Sequence, residues 1–149
     1  MLYKSITQHE YDIANALHKD LHKSEYEAYI TEIGLVKSEI KQQIKLCKKY
    51  TKPQRVCPTL FVINAKSKIY YEPYGLTLIV TPWNYPFQLA LMPLVGAIAA
   101  GNCVVLKLSP NSSHTNKVIK QILEEVFNPE YVSVFEGHRD VNTLLFAQP

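Results

Sequence analysis

A short segment bracketed by two prolines carries the residues best suited to chemistry. Residues 81–86 read TPWNYP and directly follow the apolar run 76–80. The prolines fix the backbone on either side of Trp83 and Asn84, and an amide held rigidly in this way can donate a hydrogen bond to a developing oxyanion. The residues alone also allow a simpler interpretation, with Asn84 as a helix cap and Trp83 in the core.

Lys107 is a second candidate, because it is the first charged residue after the neutral stretch 73–106. It follows the apolar run 103–106, and ligands of open α/β sheets bind at the carboxyl ends of strands. A lysine there could contact a ribose or a phosphate, or it could simply reach solvent. No GxGxxG motif follows the run 76–80, so a bound pyrophosphate would be held without the usual glycine-rich turn.

The three cysteines do not form a catalytic or metal-binding pattern. Cys47, Cys57 and Cys103 give no CxxC pair and no zinc or disulfide spacing. We expect structural roles for them, because they fall on a helix, in a connector and at the start of a buried strand, and burial raises a thiol's pKa. His18 and His22 are four residues apart, as in some zinc sites. No third ligand is near them in the sequence, so no metal site is predicted.

The composition excludes several classes of protein. The 149 residues are 47% hydrophobic and 19% charged, which provides enough apolar material for a core and argues against global disorder. A formal net charge of +3 is too small to indicate a nucleic-acid partner. The odd number of cysteines favours reduced thiols, and the first 20 residues lack the apolar segment of a signal peptide, so we expect a cytoplasmic protein.

The neutral stretch 73–106 is long enough to span a membrane, yet its composition argues against a span. Prolines, glycines and asparagines divide it into short pieces. These pieces predict a strand, a turn, a helix, a turn and a strand, all buried in a soluble protein. We therefore predict no membrane span.

Two periodicities predict the elements that position these residues. Apolar residues recur at helical spacing up to about Tyr50, and Ser24 with Glu27 forms a capping box. Beyond Pro53 and Pro58 the pattern changes to short β-branched and aromatic runs that alternate with helical segments. The predicted elements are helix from about 7 to 50, a hairpin with strands 60–63 and 68–74, strands 76–80, 103–106 and 131–135, and helices 86–100, 112–127 and from Asp140.

The alternation of strand and helix after the hairpin predicts an α/β fold with a right-handed parallel sheet, about half of a dinucleotide-binding sheet. The continuous apolar run 76–80 predicts a strand covered on both faces. We expect Pro93 to kink the helix that Gly101 ends, and Ser112 or Ser113 to cap the next one. A fourth strand would be due after the last residue, so we expect one long apolar strand edge to be uncovered.

Residues 81–107, TPWNYPFQLALMPLVGAIAAGNCVVLK, closely resemble the segment that opens the cofactor domain of aldehyde dehydrogenases. Residues 25–34 (EYEAYITEIG) and 68–75 (KIYYEPYG) look like the N-terminal helices and first hairpin of the class 3 enzymes and their bacterial relatives. The resemblance covers essentially the whole chain. It implies a truncated aldehyde dehydrogenase-like fold, with N-terminal helices at 1–57, a hairpin of the oligomerisation sheet at 58–74 and the first half of a Rossmann-like NAD(P)-binding domain at 75–149.

The resemblance also implies a chemistry. Aldehyde dehydrogenases oxidise an aldehyde to a carboxylate through a cysteine thiohemiacetal, with NAD or NADP as the hydride acceptor. Asn84 matches the asparagine that helps form the oxyanion hole, and Lys107 matches the lysine that contacts the adenine ribose. The hairpin implies a homodimer. By position, the residues at the cofactor site would be Thr81, Pro82, Trp83, Lys107 and Ser109.

Two departures from the family limit this expectation. The family's Lys-Pro-Ser-Glu reads Lys107-Leu108-Ser109-Pro110 here, so the glutamate that would bond the ribose hydroxyls is missing and the choice between NAD and NADP is open. The family's catalytic cysteine, general-base glutamate and Gly-Ser helix start lie beyond Pro149, so we expect this chain alone to be inactive, with weak or absent cofactor binding. It could be one piece of a complete enzyme, a non-catalytic interaction module or a nucleotide-binding module.

Overall fold

The computed structural model describes residues 1–62 and 64–148. The first third of the chain is helical, and strands alternate with helices in the second half. The helices are α1 (Leu2–Gln8), α2 (Glu10–Leu21), α3 (Glu25–Ala28), α4 (Gly34–Tyr50), α5 (Pro86–Ala99), α6 (Ser113–Val126) and α7 (Arg139–Phe146). The strands are β1 (Gln54–Val56), β2 (Ser67–Ile69), β3 (Leu76–Val80), β4 (Cys103–Leu108) and β5 (Val132–Glu136).

A parallel sheet in the order β3–β4–β5 forms the centre of the α/β part. In its register Val80 lies beside Lys107, and Lys107 beside Phe135, so the carboxyl ends of the strands meet at one edge. α5 and α6 connect consecutive strands. One apolar core joins these helices to the sheet and to the N-terminal helices, and its fully buried members include Ile13, Leu17, Phe87, Leu91, Leu106 and Ile119. The predicted fold class is confirmed.

The N-terminal helical region is divided and does not run continuously from 7 to 50 as expected. α1 gives way to α2 at His9, and α2 ends where His22 adopts a left-handed backbone with a φ of 56°. Ser24 then begins α3, because its hydroxyl oxygen accepts a hydrogen bond from the backbone N–H of Glu27 at 3.1 Å. The serine half of the predicted capping box is therefore confirmed. The helix before it stops, since a left-handed residue cannot continue a right-handed helix.

The hairpin differs from the predicted one. β1 pairs antiparallel with β2, so its first strand lies earlier in the chain. The predicted strand 60–63 is wrong, because Leu60–Val62 form a 3₁₀ turn with exposed side chains; Ile63 lies outside the described residues. The second strand ends at Ile69 and not at Tyr74. Apolar and aromatic residues favour a strand where neighbours pack against them, and the exposed turn lacks such packing.

β3 lies at one edge of the sheet, and the prediction that it is covered on both faces is wrong. Ile79 is buried, but Leu76 is 67% exposed and Val80 is 39% exposed. The outer strand on the other side, β5, leaves Phe135 44% exposed. The expected uncovered apolar edge is therefore found on both sides of the described sheet, because β4 is its central strand.

The ends of α5 and α7 lie close to their predicted positions. Gly101 follows α5 with a φ of +87°, a conformation that glycine adopts without steric cost, so the predicted glycine end is confirmed. Pro93 lies inside α5, and the kink expected there stays a prediction. α7 begins at Arg139, one residue before the predicted Asp140.

Among the helices of the described residues, none combines the length and the apolar character that a membrane span requires.

The cap of α6 comes from a distant residue. Ser112 occupies the cap position, but its side chain makes no cap bond, and Ser113 is already helical, so the predicted serine cap is wrong. Asp20 on α2 accepts hydrogen bonds from the backbone N–H groups of His114 at 3.2 Å and Thr115 at 2.7 Å. The aspartate satisfies free donors of the first turn and joins α2 to α6.

Candidate functional site

The predicted site residues meet where β3 and β4 end. The backbone N–H of Thr81, the residue after β3, donates to the carbonyl oxygen of Lys107 at 3.0 Å, and its hydroxyl donates to the same oxygen at 3.4 Å. Both residues are buried. The parallel register therefore brings segment 81–86 and Lys107 to the edge of the sheet at which ligands of α/β folds bind.

The loop after Thr81 presents its side chains to solvent. Pro82 and Asn84 are exposed, and Trp83 is 52% exposed, so the interpretation of Trp83 as a core residue is wrong. Tyr85 occupies the cap position of α5 and makes no side-chain cap bond. The interpretation of Asn84 as a helix cap is therefore wrong as well, and its amide is exposed without being committed to the helix.

A carboxylate from the N-terminal region caps α5. Glu32 Oε2 accepts hydrogen bonds from the backbone N–H groups of Phe87 at 2.8 Å and Gln88 at 3.1 Å. Pro86, the first residue of the helix, has no N–H to satisfy. Glu32 therefore satisfies the free donors of the first turn, although it precedes them by more than 50 residues.

Lys23 completes this contact. Its Nζ lies 2.6 Å from Glu32 Oε1 and 4.0 Å from the centroid of the Tyr85 ring. The side chains of Lys23 and Glu32 are 8% and 0% exposed, so the two charges form a buried ion pair. Because Tyr85 follows Asn84 directly, the pair packs against the end of the candidate loop.

Sequence reasoning missed Glu32, although the sequence contains a signal for it. Ala28, Glu32 and Val36 are spaced by four residues, and all three are fully buried. A carboxylate within an apolar stripe cannot stay charged without a partner. Such a position predicts a buried cation or free N–H groups nearby, and the structure supplies both.

Lys107 is 3% exposed, but its ammonium nitrogen itself is not fully buried, so the ligand contact and the simpler contact with solvent both stay predictions. Its ammonium group forms no ion pair within residues 1–62 and 64–148. A cation without a counter-charge at the end of a buried strand favours a ligand that offers negative charge or hydroxyl oxygens. The residue therefore fits the ribose and phosphate chemistry of a dinucleotide.

Ser109 and Pro110 form the turn between β4 and α6. Ser109 is buried; its hydroxyl accepts a hydrogen bond from the N–H of Asn111 at 3.3 Å, and its carbonyl accepts one from the Asn116 amide at 2.7 Å. Pro110 is half-buried and has no side-chain acceptor for a ribose hydroxyl. The two residues thus shape the turn, and Pro110 does not fit the ribose contact of the family's glutamate.

The three thiols are separate from this edge. Cys47 on α4 is half-buried, with Sγ 3.5 Å from the carbonyl oxygen of Ala99. Cys103 is half-buried at the amino end of β4, four strand positions or roughly 13 Å from Lys107. Cys57 is exposed, so the burial expected of the thiols is wrong for this one.

The two histidines that are four residues apart in the sequence lie close together. The ring centroids of His18 and His22 are 5.8 Å apart, and Nδ1 of His18 lies 3.0 Å from the carbonyl oxygen of Lys23. Across the described residues, no group of three or more His, Cys, Asp or Glu side chains could hold a metal ion. Because His18 Nδ1 contacts the carbonyl oxygen of Lys23, one of the ring nitrogens of the pair is already engaged by the backbone.

Comparison with known proteins connects these features to one family. The model described as "Aldehyde dehydrogenase family" matches residues 1–149. The chain is 46% identical over 148 residues to the 4,4'-diaponeurosporen-aldehyde dehydrogenase of Staphylococcus aureus (strain NCTC 8325 / PS 47), a match that covers 99% of this chain and 32% of that protein. Aldehyde dehydrogenase family 3 member B1 of Mus musculus is 41% identical over 127 residues, which cover 85% of this chain and 27% of that protein.

A solved structure shows the same similarity. The substrate-bound state of Staphylococcus aureus AldH matches with a TM-score of 0.97 and 43% identity, over 99% of this chain and 32% of that chain. The chain thus spans about a third of the length of the relatives that it matches. Together with the parallel sheet and the proline-bracketed loop at its carboxyl edge, these matches show that the chain belongs to the aldehyde dehydrogenase family.

Proposed function

We propose that this chain is the N-terminal part of an NAD(P)-dependent aldehyde dehydrogenase, in which Asn84 stabilises the oxyanion and the end of β4 forms part of the cofactor site. The observation that carries the proposal is the bond from the Thr81 N–H to the Lys107 carbonyl at 3.0 Å. It joins the loop that bears an exposed amide to a strand end that bears a lysine with a largely buried side chain. An amide suits a developing oxyanion, and a cation suits a nucleotide.

Asn84 would act when negative charge develops on the aldehyde oxygen. As a thiolate adds to the carbonyl carbon, the π electrons move to the oxygen, and the amide donates a hydrogen bond to it. The flanking prolines, Pro82 and Pro86, limit the backbone around the amide. The backbone that carries the amide is therefore restricted before the reaction begins and gives up little freedom when the amide binds the oxyanion.

The proposed cofactor contacts lie on both strand ends. When bound, NAD or NADP accepts the hydride of the aldehyde, and members of this family generally use one of these two cofactors. Lys107 would donate to the ribose hydroxyls, and Trp83 would line the nicotinamide side of the pocket. The residues that we assign to the cofactor site are Thr81, Pro82, Trp83, Lys107 and Ser109.

We propose that the nucleophile and the general base belong to another part of the enzyme. In the described part of the chain, Cys47 and Cys103 lie away from the carboxyl edge of the sheet and Cys57 lies beside the hairpin. A thiol has to reach the carbonyl carbon that Asn84 serves, so none of the three is suitably placed. These 149 residues alone should therefore not oxidise aldehydes.

We further propose that the β1–β2 hairpin belongs to the contact surface of a homodimer. Between the two strands, Leu60 is 86% exposed, Phe61 100% and Val62 51%. Contiguous exposed side chains of this size favour burial against a partner. The division of the chain at residues 57 and 74 remains part of the proposal.

A fusion tests the proposed function directly. Residues 1–149 are joined to the remaining two thirds of a family 3 aldehyde dehydrogenase, and NAD(P)H formation is followed with an aldehyde and either cofactor. We expect turnover by the fusion and none by the 149-residue chain. Turnover that scales with the isolated chain, and persists after removal of host enzymes, would contradict the assignment of the nucleophile. An inactive but correctly folded fusion would contradict the assignment of the site.

A further inference from the structure

Two charged side chains from the N-terminal helical region hold the structure that follows Asn84. Glu32 accepts hydrogen bonds from Phe87 and Gln88 at the start of α5. Lys23 binds the other oxygen of the same carboxylate and lies over the ring of Tyr85. The contacts fix the helix start and the residue next to Asn84 at the same time.

We propose that Lys23 and Glu32 are positioning residues for the Asn84 amide, an inference that rests on the oxyanion role proposed for Asn84. Neither would touch the substrate or the cofactor. They act through Tyr85 and through the backbone of α5, and they set the position from which the amide donates its hydrogen bond.

The loop has two anchors, and the amide lies between them. On one side, Thr81 is bonded to Lys107 as a continuation of the parallel sheet. On the other side, Glu32 holds the first free N–H groups of α5. The prolines between the anchors remove much of the remaining backbone freedom, so the orientation of Asn84 depends on how firmly both anchors are held.

The buried charge argues for more than a stabilising cap. A neutral serine or asparagine caps a helix without the desolvation penalty of a buried ion pair. Here one carboxylate oxygen takes both N–H groups and the other is held by Lys23 at 2.6 Å, which prevents the carboxylate from rotating. The lysine also packs on Tyr85 at 4.0 Å, a contact that capping alone does not require.

The conformation of the backbone around Glu32 helps to place its carboxylate at the start of α5. Glu32 lies in a π-helical turn, Tyr29–Ile33, and π turns are rare and frequently occur at functional sites. The turn is followed by Gly34, where an added Cβ would lie 3.0 Å from the carbonyl oxygen of Tyr29. The close packing at Gly34 and the π-helical turn together direct the Glu32 side chain towards the start of α5.

The single tryptophan provides a readout that does not depend on catalysis. Trp83 is the one tryptophan of the chain and precedes Asn84 directly. We expect Glu32→Gln to lower the fluorescence anisotropy of Trp83 and to increase its quenching by acrylamide. Asp20→Asn is the matched control, because Asp20 caps α6 by the same kind of contact. It should weaken the fold without changing the Trp83 signal.

Kinetics of the fusion enzyme provide the second readout. Misplacement of a catalytic group can cost about 10²-fold in rate, so Glu32→Gln should reduce kcat by up to that factor and leave KM nearly unchanged. If it acts through Asn84, the double variant Glu32→Gln/Asn84→Ala should be no slower than Asn84→Ala alone. Asp20→Asn should keep the normal kcat.

The outcomes separate the two proposals. Normal kcat in Asn84→Ala would refute the oxyanion role, and the Trp83 signal would still decide whether Glu32 orders the loop. Suppose that Asn84→Ala lowers kcat, but Glu32→Gln has the same kcat and the same Trp83 signal as Asp20→Asn. This result would overturn the positioning role. So would additive losses in the double variant. If Glu32→Gln does not fold, Lys23→Met/Glu32→Gln, which removes both buried charges, is judged by the same criteria.

Discussion

The Nε2 atom of His9 lies 3.1 Å from Oε2 of Glu125, a contact that joins the first helices to α6. The Nδ1 atom of the same ring lies 3.1 Å from Oδ2 of Asp12. The bond with Asp12, and then that with Glu125, raises the pKa of His9 above its ordinary value of 6.5 despite partial burial of the ring. Hydrogen bonds from Gln121, and then from His9, lower the pKa of Glu125 below 4.5. The link is strongest when the imidazole is charged and the carboxylate is ionised.

We predict that this link makes the free energy of unfolding depend on pH. The stability contributed by His9 is full below about pH 6.5 and is lost as the pH rises through its higher folded pKa, whereas that of Glu125 is lost as the pH falls below about 4.5. The urea midpoint should therefore be higher at about pH 6 than at about pH 8. His9→Gln should reduce this difference, and His114→Gln, at an exposed histidine, should not. Equal pH dependence in the wild type and His9→Gln would refute the prediction.

Asn84→Ala tests the oxyanion role in the fusion enzyme. Loss of one oxyanion donor lowers kcat by about 10² to 10³, and KM should change little. The melting temperature should also change little, because Asn84 is exposed and Glu32 caps α5 in its place. Asn15→Ala, at an exposed asparagine of α2, is the control and should leave both quantities unchanged. A lower melting temperature with normal turnover would show a structural role instead.

Local sequence signals predicted the α/β part of the fold well. Local patterns were sufficient to predict three features: the strand 76–80, the helix end at Gly101 and the strand 103–106. Each is present in the structure. The parallel register then follows from the strand–helix–strand order. It brings Thr81 beside Lys107, so the two motifs that sequence analysis singled out share one edge.

Features that depend on distant partners could not be predicted in the same way. Asp20 and Glu32 cap helices that begin more than 50 residues later, and no local pattern shows which helix start a carboxylate will meet. The exposure of Leu76 similarly depends on whether another strand covers β3. The residues 60–62 are apolar enough for a strand, yet they form an exposed turn.

Asp20→Ala should destabilise the fold by about 1–2 kcal/mol, the usual cost of losing a helix cap. Asp20 Oδ2 accepts hydrogen bonds from both the N–H and the hydroxyl of Thr115 at 2.7 Å, so its loss leaves free donors at the start of α6. Ser113→Ala, at the exposed serine predicted as an alternative cap, should change the free energy of unfolding by less than about 0.5 kcal/mol. Urea denaturation of both variants decides, and an equal or larger loss in Ser113→Ala would restore the serine cap.

Pro110→Glu should shift cofactor preference towards NAD in the fusion enzyme. A carboxylate at the turn after β4 could accept from both ribose hydroxyls and would repel the 2′-phosphate of NADP. A change in the relative affinity of the two cofactors by about 1–3 kcal/mol is expected for such a charged contact. Calorimetric titration with NAD and NADP measures it, with Pro110→Gln as the control that retains an acceptor without the charge. An unchanged affinity ratio would mean that this turn does not reach the ribose.

The isolated chain should self-associate through its sheet edges. β3 and β5 are the outer strands of the described sheet, and their unpaired N–H and C=O groups lie beside apolar side chains such as Leu76, which is 67% exposed. Such an edge pairs readily with another chain, and an inserted lysine opposes this. Light scattering should therefore show oligomers whose size falls in Leu76→Lys. Leu144→Lys is the matched control, because Leu144 is exposed to almost the same extent, 66%, and belongs to α7 and not to either outer strand. A monodisperse wild-type monomer with strongly protected amides in all three strands would contradict this prediction, as would equal effects of the two lysines.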